Sequence, residues 1–354
     1  MTVNPSEQFW SGRRVLITGH SGFKGSWLTL WLSQMGAEIM GLSVDDRQSH
    51  ELFYTAKIEQ LCTSIFGDLR RPQEWSQEVL EFNPEIVFHL AAQSLVRKSY
   101  DEPAATFDIN VMGTVNLLES LKYQSELRSI VVATTDKVYR DVHLRVPFKE
   151  DDHLGGHDPY SASKAACEMA VASYRQSYFG NRQIALSTGR AGNVIGGGDW
   201  ATDRLFPDAI RAWRAGEELL IRNPMYTRPW QHVLEPLLGY VILAERTAEQ
   251  PNIASSYNFG PRDFEQTSVG QIIELASQSF LGSRFSFRNQ VENPHESEWL
   301  DLDARLAKET LSVEPRLTIE DAVEWTIDWY KNTMQGKSSV DMCTEQITSF
   351  LGRG

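Results

Sequence analysis

The chain has 354 residues, 41% of them hydrophobic and 23% charged, which is typical of a folded globular protein. Its formal net charge of −13 would repel a nucleic-acid backbone, and no apolar run approaches the roughly 20 residues that span a bilayer. Because no signal peptide is evident and the three cysteines lack metal-ligand spacing, we expect a cytoplasmic protein without nucleic-acid, membrane or metal partners.

Short β-branched runs alternate with longer amphipathic stretches in the N-terminal half, which is the pattern of βαβ units. It predicts an α/β fold built on a doubly wound parallel (Rossmann) sheet with helices on both faces. The predicted strands are Val15–Thr18, Glu38–Ser43, Ser64–Gly67, Ile86–Leu90, Ile130–Thr134 and Ile184–Gly189. The predicted helices include Gly25–Gln34, Ala105–Leu121 and Ser161–Phe179.

The pattern loosens near residue 190 into loops rich in Gly, Pro and Trp. We therefore expect residues 1–190 to form the Rossmann domain. Residues 191–335 should mainly form a second, smaller, mixed α/β domain that binds substrate, with some segments returning to the Rossmann domain. Residues 336–354 should form a weakly anchored C-terminal tail that carries one short amphipathic helix.

Three glycines, Gly19, Gly22 and Gly25, recur every third residue directly after the first strand and open the first long helix. A backbone without Cβ can turn sharply there and approach a pyrophosphate, and the helix N-terminus offers free N–H groups. This strand–turn–helix context predicts a dinucleotide-binding site that includes the three glycines and Phe23.

The second strand ends at Val44, Asp45 and Asp46, about 20 residues beyond the last of these glycines. An acidic side chain at this point accepts hydrogen bonds from ribose hydroxyls and repels a 2′-phosphate, so Asp45 predicts NAD rather than NADP. Two alternatives stay open. The neighbouring Arg47 could pair with a phosphate, and the segment could be only a solvated acidic loop.

Tyr160 and Lys164 lie four residues apart, which places both side chains on one face of a helix. An ammonium near a phenol favours the phenolate, so we expect Lys164 to lower the pKa of Tyr160 and make it a base for a hydroxyl proton. This spacing arises readily by chance, so the context decides. Thr135, Asp136 and Lys137 follow an apolar strand, and the carboxyl ends of parallel strands border the ligand cleft.

Together these motifs resemble the ordered signature set of the extended short-chain dehydrogenases that act on nucleotide sugars. The set comprises Thr18–Gly25, Gly67–Leu69, His89–Gln93, Thr135–Lys137, Tyr160 with Lys164, and Tyr257–Gly260. Within that family, the segments most similar to the dehydratases of CDP-D-glucose are Thr135–Lys137, Leu154–Ser161 and Gly192–Trp200.

The resemblance implies an enzyme with bound NAD that oxidises CDP-D-glucose at C4, eliminates water across C5–C6 and returns hydride to C6. It implies that Tyr160 removes the 4-hydroxyl proton, Thr135 hydrogen-bonds the reacting oxygen and Asp136 protonates the departing 6-hydroxyl. Lys137 stands where related dehydratases carry the glutamate that removes the C5 proton. It would act either as an uncharged base or as a charged group that stabilises the enolate.

The resemblance also assigns contacts with the two ligands. The cofactor is expected to contact Asp68, Leu69, Ala91, Tyr160 and Lys164, and the substrate to contact Gln93, Ser94, Asn193 and Arg228. Asp68 could equally be a turn residue. Asn110 is similar to an asparagine that shapes the cofactor site in the family.

Four basic residues have weaker arguments for a role in the substrate site. Arg97 and Lys98 are better explained as a solvated helix face, and Arg204 and Arg222 are poorer candidates than Arg228.

Two other functions stay open. A nucleotide-sugar 4-epimerase shares the glycine-rich turn, Tyr160 and Lys164, but it has no need of an acid beside the threonine, so Asp136 favours elimination. A non-catalytic dinucleotide sensor or scaffold would not need Tyr160 and Lys164. The resemblance further implies a homodimer or higher homo-oligomer, in which Ala105–Leu121 and Ser161–Phe179 of two copies form a four-helix contact.

Overall fold

The computed structural model describes residues 3–45, 50–140, 145–262, 267–288 and 298–354. Asp46 and Arg47, which bear on the predicted choice between NAD and NADP, lie outside these ranges. Within the described ranges, no helix is long and apolar enough to cross a membrane.

A seven-stranded parallel sheet lies at the centre of the described part of the chain. Its strands are β1 (Arg14–Thr18), β2 (Glu38–Ser43), β3 (Thr63–Phe66), β4 (Ile86–His89), β5 (Ser129–Ala133), β6 (Ala185–Ala191) and β7 (Ser256–Phe259). Their order across the sheet is β7-β6-β5-β4-β1-β2-β3. The order reverses between β1 and β4, where open α/β sheets bind ligands, and the predicted doubly wound fold is confirmed.

The central strands are buried on both faces, which explains their continuous apolar sequences. In β1, Val15 and Ile17 join one apolar cluster while Leu16 joins another, because successive side chains point to opposite faces of a sheet. All three side chains are fully buried. Helices cover both clusters, so the sheet forms the rigid middle layer of the fold.

Fourteen helices accompany these strands in the described residues. They are α1 (Glu7–Trp10), α2 (Phe23–Gln34), α3 (Glu51–Thr55), α4 (Ser76–Phe82), α5 (Val96–Asp101), α6 (Pro103–Phe107), α7 (Gly113–Leu121), α8 (Pro159–Tyr174), α9 (Leu205–Arg214), α10 (Leu234–Glu249), α11 (Val269–Ser279), α12 (Arg305–Leu311), α13 (Ile319–Met334) and α14 (Ser339–Leu351). Two predicted helices are less regular than expected. A π-helical turn at Asp108–Met112 divides the first, and a π-helical turn at Arg175–Phe179 ends the second.

Beyond residue 190 the chain forms three short strand pairs beside the main sheet. They join Val194–Ile195 with Gln231–His232, Thr227–Arg228 with Thr267–Ser268, and Leu219–Ile221 with Phe285–Phe287. The chain also returns to the main sheet, because β7 pairs with β6 and α10 packs against β5 and β6. None of these elements was predicted as a strand or helix. The short strands carry little periodic signal, and α10 is buried along most of its length, which weakens its amphipathic pattern.

The expectation of a weakly anchored C-terminus is wrong. Helix α14 packs against α2 and α13, and it buries Met342, Cys343, Ile347 and Phe350. The ring of Phe350 meets that of Trp31 edge to face with centroids 6.1 Å apart. Four apolar side chains on one face of a helix therefore give this segment an extensive contact with the core.

Candidate active site

The glycine-rich turn between β1 and α2 contains close approaches that require glycine. Gly19 adopts a φ of +75°, and a Cβ on it would lie 2.8 Å from the backbone nitrogen of Ala91. A Cβ on Gly25 would collide with the carbonyl oxygen of Gly19. Gly22 caps α2 without a side-chain hydrogen bond, which leaves the first N–H groups of the helix for a ligand. This cradle fits the pyrophosphate of a dinucleotide.

Two of the predicted cofactor residues are acids at the ends of neighbouring strands. Asp45 directly follows β2 and is exposed. Asp68 follows β3, and its carboxylate accepts hydrogen bonds from Nε of Arg70 at 3.0 Å and from Nη2 at 2.6 Å. The hydrogen bond from Arg70 is the main cause that lowers the pKa of Asp68. A contact of Asp68 with adenine would therefore be shared with Arg70.

Strand β5 leads into a short 3₁₀ turn that carries the predicted Thr135-Asp136-Lys137 group. Thr135 caps the turn, and its hydroxyl donates to Oδ1 of Asp136 at 2.9 Å. Nζ of Lys137 lies 3.6 Å from the same oxygen. Asp136 is only 1% exposed, and its Oδ2 has no hydrogen-bond partner among the described residues. A buried carboxylate oxygen without a partner is costly, so this atom marks a position for a ligand group.

Helix α8 presents the predicted tyrosine and lysine to the same place. It begins at Pro159, and the side chain of Asp158 caps its first turn. Tyr160 and Lys164 are both buried, and Nζ of Lys164 donates to the carbonyl of Ala133 at 3.1 Å. The 3₁₀ turn packs against α8. The two predicted catalytic segments therefore meet at the carboxyl end of β5.

The expected lowering of the Tyr160 pKa by Lys164 is wrong in this structure. Burial raises the pKa of Tyr160 to about 12, although a hydrogen bond with Thr135 and the charge of Arg204 act in the opposite direction. Burial also lowers the pKa of Lys164 itself. Loss of solvent around the phenol thus outweighs the nearby positive charge, which sequence spacing alone does not reveal.

Two basic residues, Lys24 and Arg204, lie close to the predicted catalytic groups. The sequence did not indicate Lys24 as a site residue and indicated Arg204 only weakly. Burial and the charges of Arg204 and Lys164 lower the pKa of Lys24 to about 7. Arg204 forms an ion pair of 2.9 Å with Asp199. Lys24 lies in the first turn of α2 and Arg204 is the N-cap of α9, positions where the helix dipole disfavours a cation. A basic residue at the start of a predicted helix was therefore the feature of the sequence that could have marked these two residues as site candidates.

The loop after β4 contains Gln93, which was expected to contact the sugar. Its Nε2 donates to the carbonyl of Leu95 at 3.1 Å, and its Oε1 accepts from the Leu95 N–H at 2.6 Å. Asn110 holds the same loop, because its Oδ1 accepts from the Gln93 N–H at 2.8 Å and its Nδ2 donates to Ser163 of α8 at 2.9 Å. Gln93 therefore shapes the loop with an amide that is already engaged.

The other predicted substrate residues differ in exposure and in hydrogen bonding. Ser94 is exposed, and its hydroxyl accepts a hydrogen bond from Nη2 of Arg204 at 3.0 Å. The buried Oδ1 of Asn193 has no partner among the described residues. Arg228 is 5% exposed, and its Nη1 donates to the carbonyl of Thr227 at 2.9 Å.

A cavity of about 150 Å³ lies between the start of α5 and the start of α9. Its lining includes Leu205, the strand Leu219–Ile221 and an ionic group of Arg97, Arg222 and Asp203. The two arginines lie 3.5 and 3.6 Å from the aspartate. Arg97 therefore lines this cavity while about a third of its side chain stays exposed, and both predicted alternatives for it, the cleft and the solvated helix face, remain open.

A second buried carboxylate, Glu168, lies one turn after Lys164 in α8. Its oxygens accept hydrogen bonds at 2.5–3.1 Å from Thr134, Thr188, Arg190 and Ser256. Burial alone would raise the pKa of Glu168, but these hydrogen bonds and the charge of Arg190 lower it. The cluster ties α8 to the end of β5 and to strands β6 and β7, and so it fixes the helix that carries Tyr160.

Comparison with known proteins gives a consistent set of relatives. The sequence profile of the family described as GDP-mannose 4,6 dehydratase matches residues 16–326. The chain is 40% identical over 352 residues to the CDP-glucose 4,6-dehydratase of Salmonella typhimurium, covering 98% of each chain. It is 24% identical to the UDP-glucose 4-epimerase of Mycolicibacterium smegmatis, covering 91% of this chain and 100% of the other.

Solved structures agree with the fold. The dTDP-glucose 4,6-dehydratase of Bacillus anthracis, crystallised in complex with NAD, is similar with a TM-score of 0.78. The two chains are 22% identical, and the match covers 93% of this chain and 100% of the other.

Proposed function

Since this chain belongs to the GDP-mannose 4,6 dehydratase family, we propose that it is an NAD-dependent lyase that converts CDP-D-glucose to CDP-4-keto-6-deoxy-D-glucose and water. The 40% identity to a CDP-glucose 4,6-dehydratase over nearly the full length supports this substrate. The observation in the site that carries the proposal is the buried Asp136, whose Oδ2 has no hydrogen-bond partner in the described ranges of the chain.

The residues present fit NAD. Gly19, Gly22 and Gly25 would hold its pyrophosphate at the N-terminus of α2, and Asp45 would bind the adenosine ribose. Leu69 and Ala91 would line the cofactor beside Asp68. Bound NAD supplies a hydride acceptor, a hydride store and a positive ring charge.

Tyr160 removes the proton of the sugar 4-hydroxyl. Against the larger effect of burial, Thr135 and the charge of Arg204 both lower the pKa of Tyr160. Lys164, one turn further along α8, is fixed by its hydrogen bond to the carbonyl of Ala133. Tyr160 thus acts in a buried polar site, where proton transfer is directed to one oxygen.

Asp136 is the general acid in the elimination of water. One oxygen is engaged by Thr135 and lies near Lys137, so the free Oδ2 is the atom available to the departing 6-hydroxyl. Nζ of Lys137 lies 3.6 Å from the engaged oxygen, so Lys137 is placed to act either as an uncharged base for the C5 proton or as a charged group that stabilises the enolate. An epimerase would have no use for the free acid oxygen.

Two substitutions test the proposal. Wild-type protein with NAD and CDP-D-glucose should form a product with the alkaline ultraviolet absorbance of a 4-keto sugar. Tyr160→Phe should abolish reduction of NAD in a single turnover while NAD still binds, because the glycine cradle is untouched. Tyr178→Phe makes the same change at an exposed tyrosine in the π-helical turn that follows α8, so it is the control and should react normally. Wild-type protein without this product, or rapid reduction of NAD by Tyr160→Phe, would contradict the mechanism.

The organisation of the molecule around this chemistry is also a proposal. Residues 1–190 form the NAD-binding domain, residues 191–335 mainly the substrate domain, and residues 336–354 a C-terminal extension, all in the cytoplasm. The exposed apolar side chains of Phe107, Met112 and Met169 on the α6–α8 helices support a homodimer contact there.

A further inference from the structure

Arg204 connects the two walls of the proposed substrate cleft. It precedes α9, and its Nη1 donates to Asp199 at 2.9 Å within the loop that leads to that helix. Its Nη2 reaches Ser94, on the loop after β4 and 110 residues away in the chain, at 3.0 Å. A third of its side chain remains exposed, so further N–H donors of the guanidinium are accessible from the cleft.

The loop that holds Arg204 is itself firmly placed. The carbonyl of Asp199 accepts from the hydroxyl of Tyr330 at 2.5 Å, and the carbonyl of Gly197 accepts from Nε1 of Trp27 at 3.0 Å. The carboxylate of Asp199, which is 6% exposed, also accepts a hydrogen bond from the N–H of Ala201 at 3.1 Å. Because Asp199 is fixed in this way, the direction of the guanidinium is set before any ligand binds.

Charge indicates which part of a nucleotide sugar Arg204 would meet. The carboxylate of Asp199 already pairs with the guanidinium and offsets part of its charge, so Arg204 offers a ligand directed N–H donors more than it offers net charge. That suits a neutral hydroxyl better than a diphosphate. Ser94 fits the same end of the substrate, because its oxygen accepts from Arg204 and its own hydrogen is left to donate. Arg204 is also near enough to Tyr160 for its charge to favour the phenolate.

We propose that Arg204 is a substrate-binding residue that contacts the hexose of the nucleotide sugar and, through its hydrogen bond, orients Ser94 toward the same sugar. The assignment rests on the proposed function for the identity of the substrate. It separates recognition of the sugar, by Arg204 and Ser94, from recognition of the diphosphate. The resemblance to the nucleotide-sugar enzymes implies that Arg228 and Asn193 bind the diphosphate, because a guanidinium fork and an amide suit phosphate oxygens.

The test compares CDP-D-glucose with CDP, which lacks the hexose. Arg204→Met should raise the KM for CDP-D-glucose about 10- to 100-fold, as expected when a hydrogen bond from a charged donor is lost. The inhibition constant of CDP should change less than about twofold, because CDP never meets Arg204. Arg228→Met should raise both constants. Arg214 carries the same charge at the other end of α9, where it is exposed. Arg214→Met should therefore change neither constant.

Two additional measurements keep the test decisive. If Arg204→Met does not fold, Ser94→Ala should raise the KM for CDP-D-glucose with CDP again unaffected. Calorimetric binding of both ligands to Tyr160→Phe, with and without Arg204→Met, gives the same comparison without turnover. Absence of turnover in the wild type would contradict the proposed function, whereas normal sugar binding by Arg204→Met, or an equal loss for CDP, would overturn the role of Arg204.

Discussion

Two buried carboxylates border the carboxyl end of β5, and they differ in how fully they are hydrogen-bonded. Glu168 in α8 is satisfied by Thr134, Thr188, Ser256 and the guanidinium of Arg190. Asp136, after β5, has one oxygen engaged, and the other has no hydrogen-bond partner in the part of the chain that the structure describes. Burial is similar, at 3% and 1% exposure.

The difference separates a structural acid from a reactive one. A buried charge that is fully hydrogen-bonded is held in place and is unreactive, whereas an unsatisfied oxygen is stabilised only when a ligand arrives. We therefore expect loss of Glu168 to reduce stability, and loss of the Asp136 acid to reduce catalysis.

The largest effect should follow Asp136→Asn. The amide keeps the shape of the carboxyl group but cannot donate its proton to the 6-hydroxyl, so turnover should fall by about 10²- to 10⁴-fold. Oxidation at C4 should survive, and a single turnover with CDP-D-glucose should accumulate the absorbance of reduced nicotinamide. Wild-type protein should show little of it.

Glu168→Gln provides the matched control for that experiment, since it makes the same change of acid to amide at the satisfied site. It should not accumulate reduced nicotinamide. Turnover of Asp136→Asn at the wild-type rate, or a failure to reduce NAD at all, would show that Asp136 is not the elimination acid.

Glu168→Ala should reduce the free energy of unfolding by about 3–5 kcal/mol, because it leaves Arg190 buried without its partner. Denaturant unfolding measures the loss. The double variant Glu168→Ala with Arg190→Met should recover part of it, since both charges are then gone. If the double variant is as unstable as the sum of the two single variants, the buried pair is not the source of the effect.

A third buried acid gives a smaller effect that depends on pH. Oε1 of Glu235 in α10 accepts the N–H groups of Arg316 and Leu317 at 2.8 and 2.7 Å, yet burial raises the pKa of Glu235 to about 7. The folded chain therefore retains a proton that the unfolded chain loses above its usual value of 4.5. Stability should fall as pH rises between these two values, by about 3 kcal/mol.

Glu235→Gln removes this titration and keeps the oxygen that accepts both N–H groups. Relative to wild type, the variant should gain about 3 kcal/mol of unfolding free energy between pH 4.5 and 8. Urea unfolding at several pH values measures the difference. A difference that stays constant with pH would mean that Glu235 titrates alike in both states.

Features encoded by neighbouring residues were predictable from the sequence. The turn from Gly19 to Gly25 lies within one short segment, so residue type and spacing predicted it. The pair Tyr160 and Lys164 also lies within one segment, but its spacing needed the support of the strand and motif that precede it. The alternating pattern likewise predicted six of the seven strands of the sheet. The seventh, Ser256–Phe259, overlaps the family motif Tyr257–Gly260 but was not predicted as a strand. Its place in the sheet depends on the return of a distant segment of the chain.

Features that depend on burial or on distant contacts were not predictable. The raised pKa of Tyr160 comes mainly from loss of solvent, which spacing does not encode. The engaged amide of Gln93 and the contact of Arg204 with Ser94 depend on how separate loops pack. For the same reason, the sequence identified Asp136 as a candidate acid but could not show that its Oδ2 lacks a hydrogen-bond partner among the described residues.

Helix α14 has a consequence for how the chain is made. Its residues, among the last in the sequence, cover Trp31 on the helix that begins at the glycine-rich turn. During synthesis the N-terminal segments emerge first, and α2 lacks this cover until α14 has also been synthesised. A chain that stops before Ser339 would leave an apolar surface on α2 open to water and to other nascent chains. Completion of the cofactor-binding half therefore depends on a segment that is synthesised long after α2.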